Sequence, residues 1–155
     1  MMKNLWLPAL PFLLQGAAMM VDEFWFHRRR GLGRWERIGH PVDTLTVLVC
    51  YGIVLFVPYS PTALVWYTGC AVFSMLCVTK DEFVHAQVCS PGEHWLHAVL
   101  FLLHPITLAT AALIWMDAPT GAGAWTRFLA GMFGVVAVFG LHQLLYWNIW
   151  RSRPA

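Results

Sequence analysis

Carboxylates and imidazoles bind metal ions and transfer protons, and in this chain they are concentrated in two places. Seven of the eight acidic residues and five of the seven histidines lie in DEFWFHRRRGLGRWERIGHPVD (22–43) and DEFVHAQVCSPGEHWLH (81–97). Glu23 and His27, and Glu93 and His97, are spaced i,i+4, so on a helix they fall within about 40° of each other and project together. Glu82 and His85 are spaced i,i+3, and Asp81 also reaches His85 at i,i+4. Glu36 and His40 repeat the i,i+4 interval. Whether those two share one helix is left open, because Pro41 with Asp43 two residues on suits a separate helix start. His104 continues the Glu93 stripe, roughly 20° away, whereas His94 points about 100° away from it.

The chemistry expected of Glu23, His27, Glu36, His40, Glu82, His85, Glu93 and His97 is metal ligation. A mixed carboxylate and imidazole set favours iron, manganese or zinc over Cu(I). Eight candidate ligands suit two ions better than one, so two irons are the first expectation and zinc or manganese the alternatives. Asp43 and Asp81 are candidates for orienting a ligand imidazole from behind, and His104 and His142 are further possible ligands. Cys89 is a lone thiol and a weak metal signal. Asp22 and His94 are better explained as interfacial groups, Asp22 pairing with the nearby arginines.

In ligand type, and in carrying a pair on each helix, these residues resemble the ferritin-like di-iron carboxylate bundles. They depart from them in spacing, since only Glu82/His85 has the E-x-x-H interval. Their cytoplasmic placement at helix ends, derived below, is similar to that in membrane fatty-acid desaturases and hydroxylases. There too the match is partial, with His94-Trp95-Leu96-His97 as the nearest approach to a histidine box.

The elements that must position these groups are apolar helices. The 155 residues are 59% hydrophobic and 12% charged, with a mean hydropathy of +0.59. A bilayer-spanning helix needs about 20 mostly apolar residues, and Pro58-Tyr59-Ser60-Pro61 divides one overlong stretch. Five spans follow, near 4–21, 42–58, 62–79, 93–115 and 125–149. The expected fold is therefore an all-α polytopic membrane protein forming one domain over 1–155. The clusters read as two parallel helix-pair repeats, about 4–58 and about 62–115, with the fifth span outside them. Ser90-Pro91-Gly92-Glu93 is a capping box that should start the fourth span.

Arg28, Arg29, Arg30, Arg34, Arg37, Lys80, Arg151 and Arg153 fall on one side of that topology and only Lys3 and Arg127 on the other. The positive-inside rule then puts the N-terminus outside and the C-terminus and both clusters in the cytoplasm. A bacterial inner membrane fits. The four cysteines form no CxxC pair, and no P-loop, dinucleotide fingerprint or nucleophile elbow is present. No aromatic-basic interleaving suggests nucleic acid.

The leading expectation is a dinuclear non-haem iron oxidoreductase of hydroxylase, desaturase or oxidase type. It would act on a lipid-soluble substrate such as an acyl chain, isoprenoid or quinone, with an electron donor the sequence does not name. A zinc hydrolase, a metal transporter or sensor, a scaffold and a metal-free polar network are the alternatives. Small residues in LAGMFGVVAVFG allow close packing within the chain or in a homo-oligomer.

Overall fold

The computed structural model describes residues 6–117 and 123–151, and these are almost entirely helical. Helix α1 (Trp6–Val21) runs on through a π-helical turn, Asp22–His27, and one further turn, Arg28–Arg30. Helix α2 spans Arg34–Phe56, α3 Pro61–Thr79, the short α4 Glu82–Val88, α5 Pro91–Asp117 and α6 Ala124–Leu145, which ends in a π-helical turn at Tyr146–Trp150. Lys3, Arg153 and the start of the first expected span lie outside the described residues. Among the described residues, four helical stretches are long and apolar enough to cross a membrane, namely Arg34–Phe56, Pro61–Val88, Pro91–Asp117 and Ala124–Trp150.

Local chemistry sets the helix ends. Gly31, at φ 78°, adopts a left-handed backbone that other residues avoid, and it ends the first helix. Ser60 caps α3 by accepting from the Ala63 N–H (3.1 Å), with Pro61 at the first helical position. At α5 the Ser90 Oγ accepts from the Glu93 N–H (3.3 Å) and Glu93 reaches back to the Ser90 N–H (3.4 Å), so the capping box forms. Glu36 makes the same return contact, accepting from the Gly33 N–H (3.0 Å).

Helix α2 starts at Arg34 rather than near residue 42, so Glu36 and His40 do share one helix. Pro41 has no N–H, which leaves the Arg37 carbonyl without its helical donor. The Asn148 side-chain amide supplies one instead, at 3.0 Å, from the turn that ends α6.

Helix α2 packs along α6 and α3, and α1 packs on α5. One half of the bundle is an apolar core of Phe12, Cys50, Tyr51, Val54, Tyr67, Leu108, Ala111, Ile114, Trp115 and Leu129. It is closed by Trp115 donating to the Val57 carbonyl (3.0 Å) and Tyr67 to that of Leu108 (2.7 Å). Helices α2 and α6 approach closely at Gly140, where an added Cβ would meet Thr44 Cγ2 at 2.8 Å. The outer surface is apolar as well: Trp66, Leu102 and Val138 are each about 70% exposed. Buried polar groups gather in the other half of the bundle, an inside-out distribution suited to a lipid surround.

Candidate metal centre

Four imidazoles form a ring at the polar end. His27 stacks on His40 (centroids 4.7 Å), His40 meets His85 (6.2 Å), His85 meets His97 (4.4 Å) and His97 meets His27 (6.4 Å). They come from the end of α1, from α2, from α4 and from α5. Around them Glu23, Glu36, Asp81 and Glu93 are at most 2% exposed. Asp22 and Asp43 are only slightly more open.

The contacts fall into matched pairs. His27 Nε2 lies 3.2 Å from Asp22 and 3.9 Å from Glu93, and His97 Nε2 lies 3.1 Å from Asp22. On the other side His85 Nε2 lies 3.4 Å from Glu36 and His40 Nε2 lies 3.6 Å from Asp81. Glu23 then corresponds to Glu82, for His27 Nδ1 faces Glu23 (3.4 Å) and His85 Nδ1 faces Glu82 (3.3 Å). Potential ligand atoms of Asp22, His27, Glu93 and His97 all lie within 4.8 Å of one another, as do those of Glu36, His40 and His85. His27 and His40 with Glu23, and His85 and His97 with Cys89, satisfy the same limit. The first two sets share no residue and include all four imidazoles.

Several observations fit metal ions at this place. His27 Nε2, His85 Nε2, His97 Nδ1 and Asp81 Oδ1 are buried without a hydrogen-bond partner among the described residues, although carboxylates stand near. Buried polar atoms are rarely left so. Charge points the same way. Six carboxylates (Asp22, Glu23, Glu36, Asp43, Asp81 and Glu93) converge here, whereas the cations paired with them are Arg30 and Lys80. The carboxylates here outnumber the cations paired with them, an excess that divalent ions would offset. Unpaired buried charge is costly, so these groups could hold a cation.

Arg30 sits between the halves, donating to Glu36 (2.7 and 3.1 Å) and to Glu93 (3.0 and 3.1 Å). Burial would lower its pKa, but the two carboxylates outweigh that and raise it. Burial would raise the Asp22 carboxyl, yet the His97 hydrogen bond and the His27, His97 and His40 charges hold it below its ordinary value. Cys89 is pushed up to about 12 by burial and the Glu93 charge, so it stays a thiol.

Of the residues singled out by spacing, His27, Glu36, His40, His85, Glu93 and His97 face this centre. Glu23 and Glu82 stand behind imidazoles. Glu23 is also the acceptor of the Trp147 indole (2.6 Å) with His142 Nε2 at 3.5 Å, and the Glu82 side chain is 39% exposed. Asp43 is bound by Lys80 (2.6 Å), which also holds Asp81 (3.0 Å). His104 lies elsewhere, with its nitrogens taken by Gln15 (3.1 Å) and Ser74 (3.0 Å). Spacing missed Asp22, Arg30 and Trp147.

The missed signal for Asp22 lies in alignment. DEFWFH and DEFVH differ by one inserted residue, which makes Asp22 and Asp81 equivalent. Five α-helical residues turn about 140° past a full circle, but a π-turn closes i to i+5 and brings Asp22 and His27 onto one face. Comparison with protein-family models, curated proteins and solved structures finds no match for the chain, so its own geometry carries the functional assignment.

Proposed function

We propose that the chain is an integral membrane protein with a dinuclear non-haem iron centre, an oxidoreductase for a lipid-soluble substrate. One ion would be held by Asp22, His27, Glu93 and His97, the other by Glu36, His40, His85 and Asp81. The observation that carries this is the pairing of two disjoint carboxylate-imidazole sets in a cluster where carboxylates outnumber the paired cations. Mixed oxygen and nitrogen ligands suit iron, and bound iron would supply the electron-transfer chemistry.

The protein's own groups prepare the site. Glu23 and Glu82 accept from the Nδ1–H of His27 and His85, fixing the tautomer that turns Nε2 inward. Arg30 holds Glu36 and Glu93 in place. A cavity of about 180 Å³ extends from Asp22, His27, His40, His85 and His97 past Val47, Tyr51, Phe101, Met132 and Phe139, which gives an apolar substrate a place beside the centre. In this proposal the halves are parallel repeats about an axis near the membrane normal, with the centre on the cytoplasmic side of a bacterial inner membrane.

Metal analysis and an absorption spectrum of the purified protein in detergent test this. About two irons per chain are expected. Two zincs without iron would favour a hydrolase, in which a bound water becomes the nucleophile. A metal-free protein that stays folded and active would overturn both.

A further inference from the structure

The same cavity holds a second polar feature that the metal centre does not use. Gln15 and Thr107 line it, and both are at least nine-tenths buried, with 9% and 2% exposure. Gln15 Oε1 and Thr107 Oγ1 have no hydrogen-bond partner among the described residues. A helical threonine ordinarily bonds back to a carbonyl one turn earlier. Thr68 and Thr110 do so here, at 2.8 and 2.7 Å, whereas Thr107 does not.

The Gln15 amide cannot simply rotate to find a partner, because a chain of hydrogen bonds fixes its orientation. Thr46 donates to the Asp43 carbonyl (2.7 Å), so its oxygen accepts from Ser74 (2.7 Å). Ser74 then accepts from His104 Nε2–H (3.0 Å), which leaves His104 Nδ1 as the acceptor for the Gln15 Nε2–H (3.1 Å). Each donor is used once, and Gln15 Oε1 is left over. Flipping the amide would demand the other His104 tautomer and turn the Thr46 hydroxyl from the Asp43 carbonyl to Ser74, at the cost of one hydrogen bond.

One cavity thus presents an unpaired acceptor and an unpaired hydroxyl among apolar walls. We propose that it binds an apolar molecule through a hydroxyl group, which donates to Gln15 Oε1 and accepts from Thr107. A hydroxyl is the smallest group that can do both. Gln15 stands seven residues from Asp22 and Thr107 ten from His97, or about 10 and 15 Å along their helices at 1.5 Å per residue. On the dinuclear reading, on which this last point rests, the ligand's reacting position lies about 10–15 Å from its hydroxyl. Val135 lines the cavity while 61% exposed, which makes it a mouth on the bundle's apolar flank.

The test is photolabelling of the full chain in lipid nanodiscs with a diazirine-bearing decanol, mapped by mass spectrometry. Decanol competes with methyl nonyl ether, its isomer without a donor, each titrated by mole fraction in the bilayer. Labels are expected at cavity residues such as Phe101 and Met132, with decanol competing about tenfold better than the ether. The isosteric Thr107→Val, and separately Gln15→Leu, should erase that preference while leaving ether competition unchanged. Equal competition in the native protein would mean that water serves the two atoms, and labels confined to outward residues such as Leu102 and Val138 would mean no cavity ligand. Either result overturns the proposal. Chelator-treated protein should keep the preference, so that loss of the metal reading and loss of this one are told apart.

Discussion

The sharpest test exchanges two pairs of neighbours. Asp22 lies 3.2 and 3.1 Å from two imidazole Nε2 atoms, whereas Glu23, next in sequence, faces a remote Nδ1 and the Trp147 indole. Asp22→Asn and Asp81→Asn should therefore each lose a direct ligand, and Glu23→Gln and Glu82→Gln only the support behind one. Weakening such support typically costs about 10–100-fold in metal affinity. The aspartate variants should instead bind about one ion per chain where the native protein binds two.

Stability follows the metal. At a hundredfold excess of metal over Kd, each ion adds about 2.7 kcal/mol. For a chain of this size that is about 5–11 °C in Tm per ion, at about 2–4 °C per kcal/mol. With metal in excess, Asp22→Asn should sit one such increment below the native protein. Without metal the deficit should shrink to what the Asp22 contacts with His97 and His27 contribute, because no ion is then lost. The assay is metal stoichiometry and Tm of detergent-solubilised protein across a titration of buffered Fe(II) under anaerobic conditions. Two ions at native affinity in Asp22→Asn, together with loss of an ion in Glu23→Gln, would refute the division of roles. Glu23 and Glu82 would then be the ligands.

Further outcomes follow from the same contacts. Arg30→Met leaves Glu36 and Glu93 buried without their cation, and breaking a buried pair in this way costs about 3–5 kcal/mol. Denaturant melts of metal-free protein should show that loss, and added metal should shrink it. Asn148→Ala strips the Arg37 carbonyl of the donor that Pro41 cannot provide, at a cost of about 1–3 kcal/mol in the same melts with ion stoichiometry unchanged. Acid should release the metal, because imidazole binds only as the neutral base. The metal-dependent Tm increment is expected in full at pH 7 and gone by about pH 5.

Much of the helical layout was legible because apolar length and capping are local signals. Ser90-Pro91-Gly92-Glu93 announces α5, and the i,i+4 spacing of Glu93 and His97 brings both to the centre. What local reasoning lost depends on distant parts of the chain. Pro41 looks like a helix boundary unless Asn148 supplies the missing donor. Arg30 sits in an arginine run whose topogenic role is sufficient explanation until Glu36 and Glu93 are seen on either side of it. Asp22 reads as an interfacial partner of the arginines, and at about 100° per residue it turns away from His27; only the π-turn reverses that.

That π-turn also bears on how the halves relate. If the two segments are copies of one unit, the inserted residue in DEFWFH would by itself rotate Asp22 away from the ring of imidazoles. A π-turn is costly and uncommon, and it absorbs one extra residue while leaving both flanking faces in register. Its presence at this point keeps Asp22, not Glu23, equivalent to Asp81. The two segments also differ in how their aspartates are held: Lys80 holds Asp81 and Asp43, while Asp22 bonds to His97. On the dinuclear proposal an ion beside Asp81 would compete with that ammonium, whereas one beside Asp22 would meet a carboxylate already turned toward imidazole. The two proposed sites should then be unequal, the one beside Asp22 filling first in a metal titration.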